Sequence, residues 1–184
     1  MAYVGVNQTS SNAFRGEWLD SMSSGLAFPN GVVAPSRTAI TTNLAGWEYA
    51  VNDYFDGSIQ FNHDCQQSSH LDFHIHFCFP SQPTAGYNLA FQLYYAYAPI
   101  DGAFSEVAAT PVPYTVAASD NKIHRYLELG SLTGDATSSR SAIALVRVKR
   151  ITRLSGTECD VNPILLHCDC HYQSRFPGGT VNET

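Results

Sequence analysis

The sequence predicts an all-β protein, an antiparallel β-sandwich or jelly roll of about eight strands. Three observations predict this fold. Apolar residues alternate with period two in several separate segments, as they do in half-buried strands. Clusters of Gly, Pro, Asn and Ser lie between those segments at turn-like positions. No window of about 11 to 18 residues has a helical period.

The strand signals begin after a polar N-terminal third. The longest signal spans 87–97 and places one set of large side chains on a single face: Tyr87, Leu89, Phe91, Leu93, Tyr95 and Tyr97. The opposite face carries Tyr94 among small and polar residues, so we expect both faces to be partly covered. Other strands are expected at 37–42, 47–51, 58–63, 70–77, 114–118, 122–129, 142–151 and 164–172.

The chain of 184 residues suits one folded domain with two flanking segments. We expect an extended N-terminal arm at 1–35, the sandwich domain at 36–175 and a polar C-terminal tail at 176–184. The arm is rich in turn-forming residues but carries a few large apolar side chains. Because such anchors usually carry much of an interface's binding energy, they are candidate contacts with neighbouring subunits: Phe14, Trp18, Leu19 and Phe28.

The composition favours an assembled protein and excludes some partners. Only 14% of the residues are charged, whereas the chain contains 10 tyrosines and 10 phenylalanines. The net charge of −6 argues against a nucleic-acid partner, which normally requires a basic surface. One basic cluster, interpreted as a solvated strand face or a subunit contact, comprises Arg147, Lys149, Arg150 and Arg153.

The cysteines and the N-terminus suggest a cytosolic origin. Five is an odd number of cysteines, and the first residues lack the charged and apolar regions of a signal peptide. We therefore expect free thiols, with Cys78, Cys168 and Cys170 acting as small buried apolar residues. No apolar run approaches the roughly 20 residues of a membrane-spanning helix, so no membrane role is expected.

Two histidine-rich strands are the most informative part of the sequence. In the segment 70–77, strict alternation puts histidines and an aspartate on one face and four large apolar side chains on the other. The segment 167–172 repeats the pattern, so that five of the seven histidines lie on two strands.

These strands allow two interpretations. Converging histidines and a carboxylate could bind a divalent metal such as Fe or Zn, with the ligands His74, His76, Asp169 and His171 and the supporting residues His70, Asp72 and His167. The simpler interpretation is that imidazole and carboxylate groups hydrogen-bond to one another across neighbouring strands.

An enzyme is not expected. The cupin jelly roll is the nearest metal-enzyme pattern, but it requires a Glu a few residues after His-x-His, and 77–82 contains no carboxylate. The sequence has no Gly-x-Ser-x-Gly elbow, no phosphate-binding loop and no Cys-x-x-Cys pair. We therefore predict no catalytic residue and no cofactor, with a cupin-like metal enzyme as the third alternative.

Four short motifs carry a resemblance to a known family. They are the His-x-His strand at 73–77, the tyrosine-rich strand at 93–97, the basic strand at 147–150 and the Asp-x-His-Tyr segment at 169–173. With a Trp and an Asp at 16–20, they make the chain similar to a family of tailed-bacteriophage virion proteins over most of 18–175. In this chain, Phe77 stands where the family usually has Trp, and Lys149 lies between the two arginines of the basic strand.

The resemblance implies a structural role in a virion, produced in the cytoplasm of a bacterial host. It implies a capsid decoration or cement protein, a homo-oligomer such as a trimer, bound to the major capsid protein or other virion proteins. The alternative within the same particle is a tail-fibre or receptor-binding component. For that role, Tyr54 and Phe55 are candidate aromatic residues for stacking on sugars.

Overall fold

The computed structural model of the protein describes residues 15–18, 35–61, 70–133 and 142–173. All regular structure in these ranges is β-strand, which confirms the predicted all-β class. None of the described residues forms a helix long and apolar enough to cross a membrane.

The described residues form eleven strands, numbered in chain order. They are β1 (Arg15–Trp18), β2 (Arg37–Ala39), β3 (Ala45–Glu48), β4 (Tyr54–Gln60), β5 (His70–Cys78), β6 (Asn88–Ala98), β7 (Ser105–Ala108), β8 (Val112–Thr115), β9 (Arg125–Thr133), β10 (Ile143–Ile151) and β11 (Ile164–Gln173).

The strands form two sheets whose order is that of a jelly roll. The first sheet has the order β2-β3-β11-β5-β9, with β1 also paired to β11, and the second has the order β4-β10-β6-β7, with β8 also paired to β6. All of these strand pairs are antiparallel. Between β3 and β11, consecutive strands lie in opposite sheets, except that β6, β7 and β8 all lie in the second sheet. This alternation is that of a double Greek key.

The core lies between the two sheets. The inward residues of β5 are completely buried, and Phe73 stacks on Tyr95 of β6 with ring centroids 5.8 Å apart. The predicted apolar face of β6 is confirmed, since Leu89, Phe91 and Leu93 are buried in the same core. Each fully buried side chain of this size contributes about 2–3 kcal/mol through removal of apolar surface from water.

Two strands depart from the sequence prediction. All four residues of β7 are exposed, so its sequence lacks the alternation that marks a half-buried strand. The strand β1 lies within the predicted arm and pairs with β11, from Arg15 opposite Gln173 to Trp18 opposite Cys170.

Several predictions on the flanking segments fall outside the described residues. These are the tail at 176–184, the candidate contacts Phe14, Leu19 and Phe28, and the side chain of Trp18, whose backbone alone is described. The expected division into arm, sandwich domain and tail stays a prediction.

The basic cluster is not a uniform solvated face, which corrects the sequence interpretation. Arg147 points outward from β10, but Arg150 lies on the opposite face of the strand and is only 1% exposed. Its guanidinium donates hydrogen bonds to the backbone oxygen of Tyr49, to Asn162 Oδ1 at 2.6 Å and to Glu158 Oε1 at 3.1 Å. Arg150 therefore holds the end of β10 to the loop before β11.

Phe55 requires a similar correction. It is 1% exposed and packs edge-on against Tyr49 in the core, so it is not available to a sugar. Its neighbour Tyr54 lies on the outer side of β4, because successive residues of a strand face opposite ways. The expected burial of Cys78, Cys168 and Cys170 is confirmed, and none of the three forms a disulfide with another residue in the described ranges.

Replacement of Arg150 by Met is expected to destabilise the fold on the order of 3 kcal/mol, because the buried carbonyl of Tyr49 and the half-buried Asn162 and Glu158 lose their donor. The matched control is Arg147→Met on the same strand. Arg147 and its partner Asp56 have side chains 44% and 38% exposed, and such surface pairs contribute less than about 1 kcal/mol. Urea unfolding measures both changes, and equal losses would contradict the assigned role of Arg150.

Candidate functional site

The two histidine-rich strands are neighbours in the first sheet, and their polar residues share its outer face. Because Leu71, Phe73, Ile75 and Phe77 face the core, the intervening residues of β5 must face outward. The register places Asp169 opposite His74, His167 opposite His76 and His171 opposite Asp72. We call the group formed by His74, His76, His124, His167, Asp169 and His171 the histidine cluster.

Asp169 is the centre of this cluster and is only 1% exposed. One carboxylate oxygen, Oδ2, lies 3.3 Å from His76 Nε2 and 3.9 Å from His171 Nε2. The other oxygen, Oδ1, lies 3.9 Å from His74 Nδ1 and has no hydrogen-bond partner among the described residues. Three imidazoles thus surround one buried carboxylate.

His124 was not recognised from the sequence, although it extends the cluster to the surface. It precedes β9, and its Nε2 lies 2.8 Å from Nδ1 of His76. If His76 is neutral and its Nε2 donates to Asp169, its Nδ1 accepts a hydrogen bond from His124. Asp169, His76 and His124 therefore form a chain of hydrogen bonds from a buried carboxylate to an exposed imidazole.

His74 is the most buried histidine of the group, with 4% exposure. Its ring packs against the ring of His171 with centroids 4.3 Å apart, and its Nε2 lies 3.7 Å from the exposed carboxylate of Glu128. Burial lowers the pKa of His74 below its ordinary value, and the neighbouring His171 lowers it further. Asp169 and Glu128 act in the opposite direction but more weakly.

Two irregularities in strand pairing shape the site. The register between β5 and β11 shifts between Leu165 and His167, which leaves Leu166 exposed and brings His167 to the outer face beside His76. A second shift, between β5 and β9, occurs between Phe73 and His74, where Phe73 lies opposite Gly130. The φ of Gly130 is 133°, a backbone conformation that would be strained in a residue with a side chain. Bulges commonly redirect side chains in this way.

The four predicted metal ligands are brought together, but not as a metal site. His74, His76 and His171 approach Asp169 individually, and His76 Nδ1 faces another histidine. No group of three or more His, Cys, Asp or Glu side chains in the described ranges is arranged to hold a metal ion. The hydrogen bond between His76 and Asp169 is of the kind that the simpler interpretation expects, whereas His74 and His171 lie 3.9 Å from the carboxylate. A metal such as Fe or Zn stays a prediction from the sequence.

The supporting residues named from the sequence have different positions. Asp72 and His167 lie on the outer face of the sheet with the cluster, as expected. His70 begins β5, and its side chain falls outside the described residues. Cys78, two positions after His76, is buried, and this burial raises the pKa of its thiol, which disfavours the nucleophilic thiolate.

Comparisons with known proteins leave the family open. No protein-family model matches the sequence, and no curated protein matches it. Among solved structures, the chain is similar to the structure of infectious bursal disease virus, Gx strain, with a TM-score of 0.33 and 9% sequence identity. The match covers 79% of this chain and 40% of that chain. These values are too low to support an inference from that structure.

The buried His74 is expected to make the fold less stable in acid. Since its pKa in the folded state lies below the ordinary 6.5, the unfolded chain takes up its proton first as the pH falls. The contribution of neutral His74 to the free energy of unfolding is therefore complete above pH 6.5. It is lost as the pH falls through the lowered pKa of His74.

In the variant His74→Gln, the free energy of unfolding should decrease less steeply between pH 7.5 and pH 5 than in the wild type. The control Thr152→Gln changes an exposed residue outside the cluster, keeps every histidine, and should retain the wild-type slope. Urea unfolding at a series of pH values measures both. Parallel curves for wild type and His74→Gln would contradict the assignment.

Proposed function

We propose that this chain is a structural protein of a bacteriophage virion, a capsid decoration or cement protein that binds the shell and its sibling subunits. Its mechanism is binding and not turnover. One observation carries the proposal: large apolar side chains are exposed together at one end of the second sheet. We call Ile100, Phe104, Ile143 and Leu145 the apolar end.

The strand register brings these four residues to the same end of the sheet. Ile143 pairs with Ala98, the last residue of β6, and Ile100 follows two residues later. Phe104 directly precedes β7, whose first residue pairs with Tyr97 of β6. The four side chains are between 37% and 64% exposed. Exposed apolar groups gathered at one place are typical of a surface that another protein covers.

The positions of the family-like motifs also support the proposal. The His-x-His strand and the Asp-x-His-Tyr strand are the neighbours β5 and β11, and the tyrosine-rich and basic strands are the neighbours β6 and β10. The motifs therefore occupy the central pair of strands in each sheet. Residues so placed contribute both to the core of a jelly roll and to its two outer faces, as the shared motifs of a structural family would.

The strand β1 supports a role for the N-terminal segment in assembly. It extends the first sheet by pairing with the last four residues of β11. Backbone pairing at a sheet edge does not depend on side-chain identity, so the same edge can accept a strand from the same chain or from a sibling.

A second candidate function is a tail-fibre or receptor-binding component of the same kind of particle. The observation that favours it is a groove on the outer face of the second sheet, lined by Tyr54 and Tyr94. Copy number separates the two functions, because a decoration protein is present in proportion to the capsid protein and a tail component is present in a few copies.

Charges placed at the apolar end should prevent incorporation into particles. The double variant Phe104→Glu with Ile143→Glu changes side chains that are 50% and 37% exposed, so the fold should persist while the interface is lost. The matched control, Leu154→Glu with Leu166→Glu, changes side chains that are 51% and 44% exposed elsewhere.

Particles of the virus that encodes the chain are purified after production with each variant, and the chain is quantified by mass spectrometry relative to the capsid protein. We expect at least a tenfold loss with the first variant and none with the control. Equal incorporation of both, or particles that lack the wild-type chain, would overturn the proposal.

Deletion of residues 1–34 tests the arm separately. The ten strands β2 to β11 remain, so circular dichroism should show a folded β-protein with a cooperative thermal transition. We expect this variant to be absent from purified particles, because its arm contacts and β1 are removed. Unimpaired incorporation would show that the arm has no role in assembly.

A further inference from the structure

The outer face of the second sheet contains a groove of about 590 Å³, a size typical of small-molecule sites. It runs across four strands, because it is built from the outward residues of β4, β10, β6 and β7. The side chains that give it chemical character are Tyr54, Asp56, Tyr94, Glu106, Arg147 and Lys149.

Rows of paired residues explain the shape of the groove. One row across the sheet contains Asp56, Arg147 and Tyr94, and the next contains Leu145, Ala96 and Glu106. Ala96 presents only a methyl group beside the large ring of Tyr94, so the surface is depressed there. The tyrosine ring forms a wall beside this depression.

Arg147 is held in place before any ligand arrives. Its guanidinium donates two hydrogen bonds to the carboxylate of Asp56, at 2.6 and 2.7 Å, and lies 4.1 Å from the centre of the Tyr54 ring. Asp56, Tyr54 and Glu106 all raise the pKa of Arg147. A side chain fixed in this way loses little conformational entropy when a ligand binds.

The charges of the groove balance. Asp56 and Glu106 supply two carboxylates, and Arg147 and Lys149 supply two cations, so the groove attracts neither an anion nor a cation strongly. It nevertheless offers both hydrogen-bond donors and acceptors next to aromatic rings. A ligand that suits this surface is uncharged, rich in hydroxyl groups that both donate and accept, and has an apolar C–H face to pack on a ring.

We infer that the groove binds a neutral carbohydrate, with Tyr94 as the stacking platform and Asp56, Arg147, Lys149 and Glu106 as hydrogen-bonding partners of its hydroxyl groups. This inference deepens the second candidate function, for which it names the ligand class. The groove shares only Leu145 with the apolar end, and it is not lined by Phe104 or Ile143, the two residues changed to test the decoration function. The two proposals can therefore fail independently.

A glycan array that carries neutral and sialylated oligosaccharides, probed with the purified full chain, tests the inference. We expect binding to one or more neutral glycans and at least a tenfold weaker signal for Tyr94→Ala. The control Tyr126→Ala removes a tyrosine that is 63% exposed on the first sheet and should bind like the wild type. A second variant, Ala96→Trp, fills the groove while Tyr94 is retained, and it should also abolish binding.

Circular dichroism confirms that each variant is folded before the array is read. The inference is overturned if no neutral glycan gives a signal, if only sialylated glycans bind, or if folded Tyr94→Ala and Ala96→Trp bind like the wild type. A protein that fails on the array but enters particles through its apolar end would leave the decoration function intact.

Discussion

The pairing of β5 with β11 is the constraint on which the core and the histidine cluster both depend. Side chains of a strand alternate between its two faces, so the register that buries Phe73 and Ile75 also turns His74 and His76 outward. A shift by one residue would place imidazoles in the core and phenyl rings on the surface. The buried carboxylate of Asp169 then lies among three imidazoles without any further element to position it.

The two sheets have different outer faces. The first sheet presents histidines of β5 and β11 grouped around the buried Asp169, and one of them, His76, is hydrogen-bonded to it. The second sheet presents tyrosines, balanced charges and, at one end, exposed apolar side chains. In the proposed particle subunit, the partners would bind the second of these faces. The jelly-roll topology itself does not decide the function, since unrelated activities share it.

Alternation was sufficient to predict the class of fold and most of its strands, because half-buried strands have a period that no other structure shares. Alternation could not reveal β7, because no side of this strand is buried. It also could not reveal the inward position of Arg150, because the sequence places this residue in a cluster of basic residues that is typical of an exposed face. The neighbourhood of His74, His76 and Asp169 was predictable from the two matching patterns. The contact of His124 with His76 was not predictable from the sequence. His124 lies in the loop just before β9, and only the register of β9 with β5 brings it next to His76.

The central claim is that this chain works by binding within a virion, and a cryo-electron microscopy reconstruction of the particle tests it most directly. The account predicts a jelly roll at regularly repeated positions on the shell, with Phe104 and Ile143 at the apolar end packed against a neighbouring subunit. A particle without the chain, or one in which the apolar end faces solvent, would contradict it. A position on the tail would contradict the decoration role and favour receptor binding.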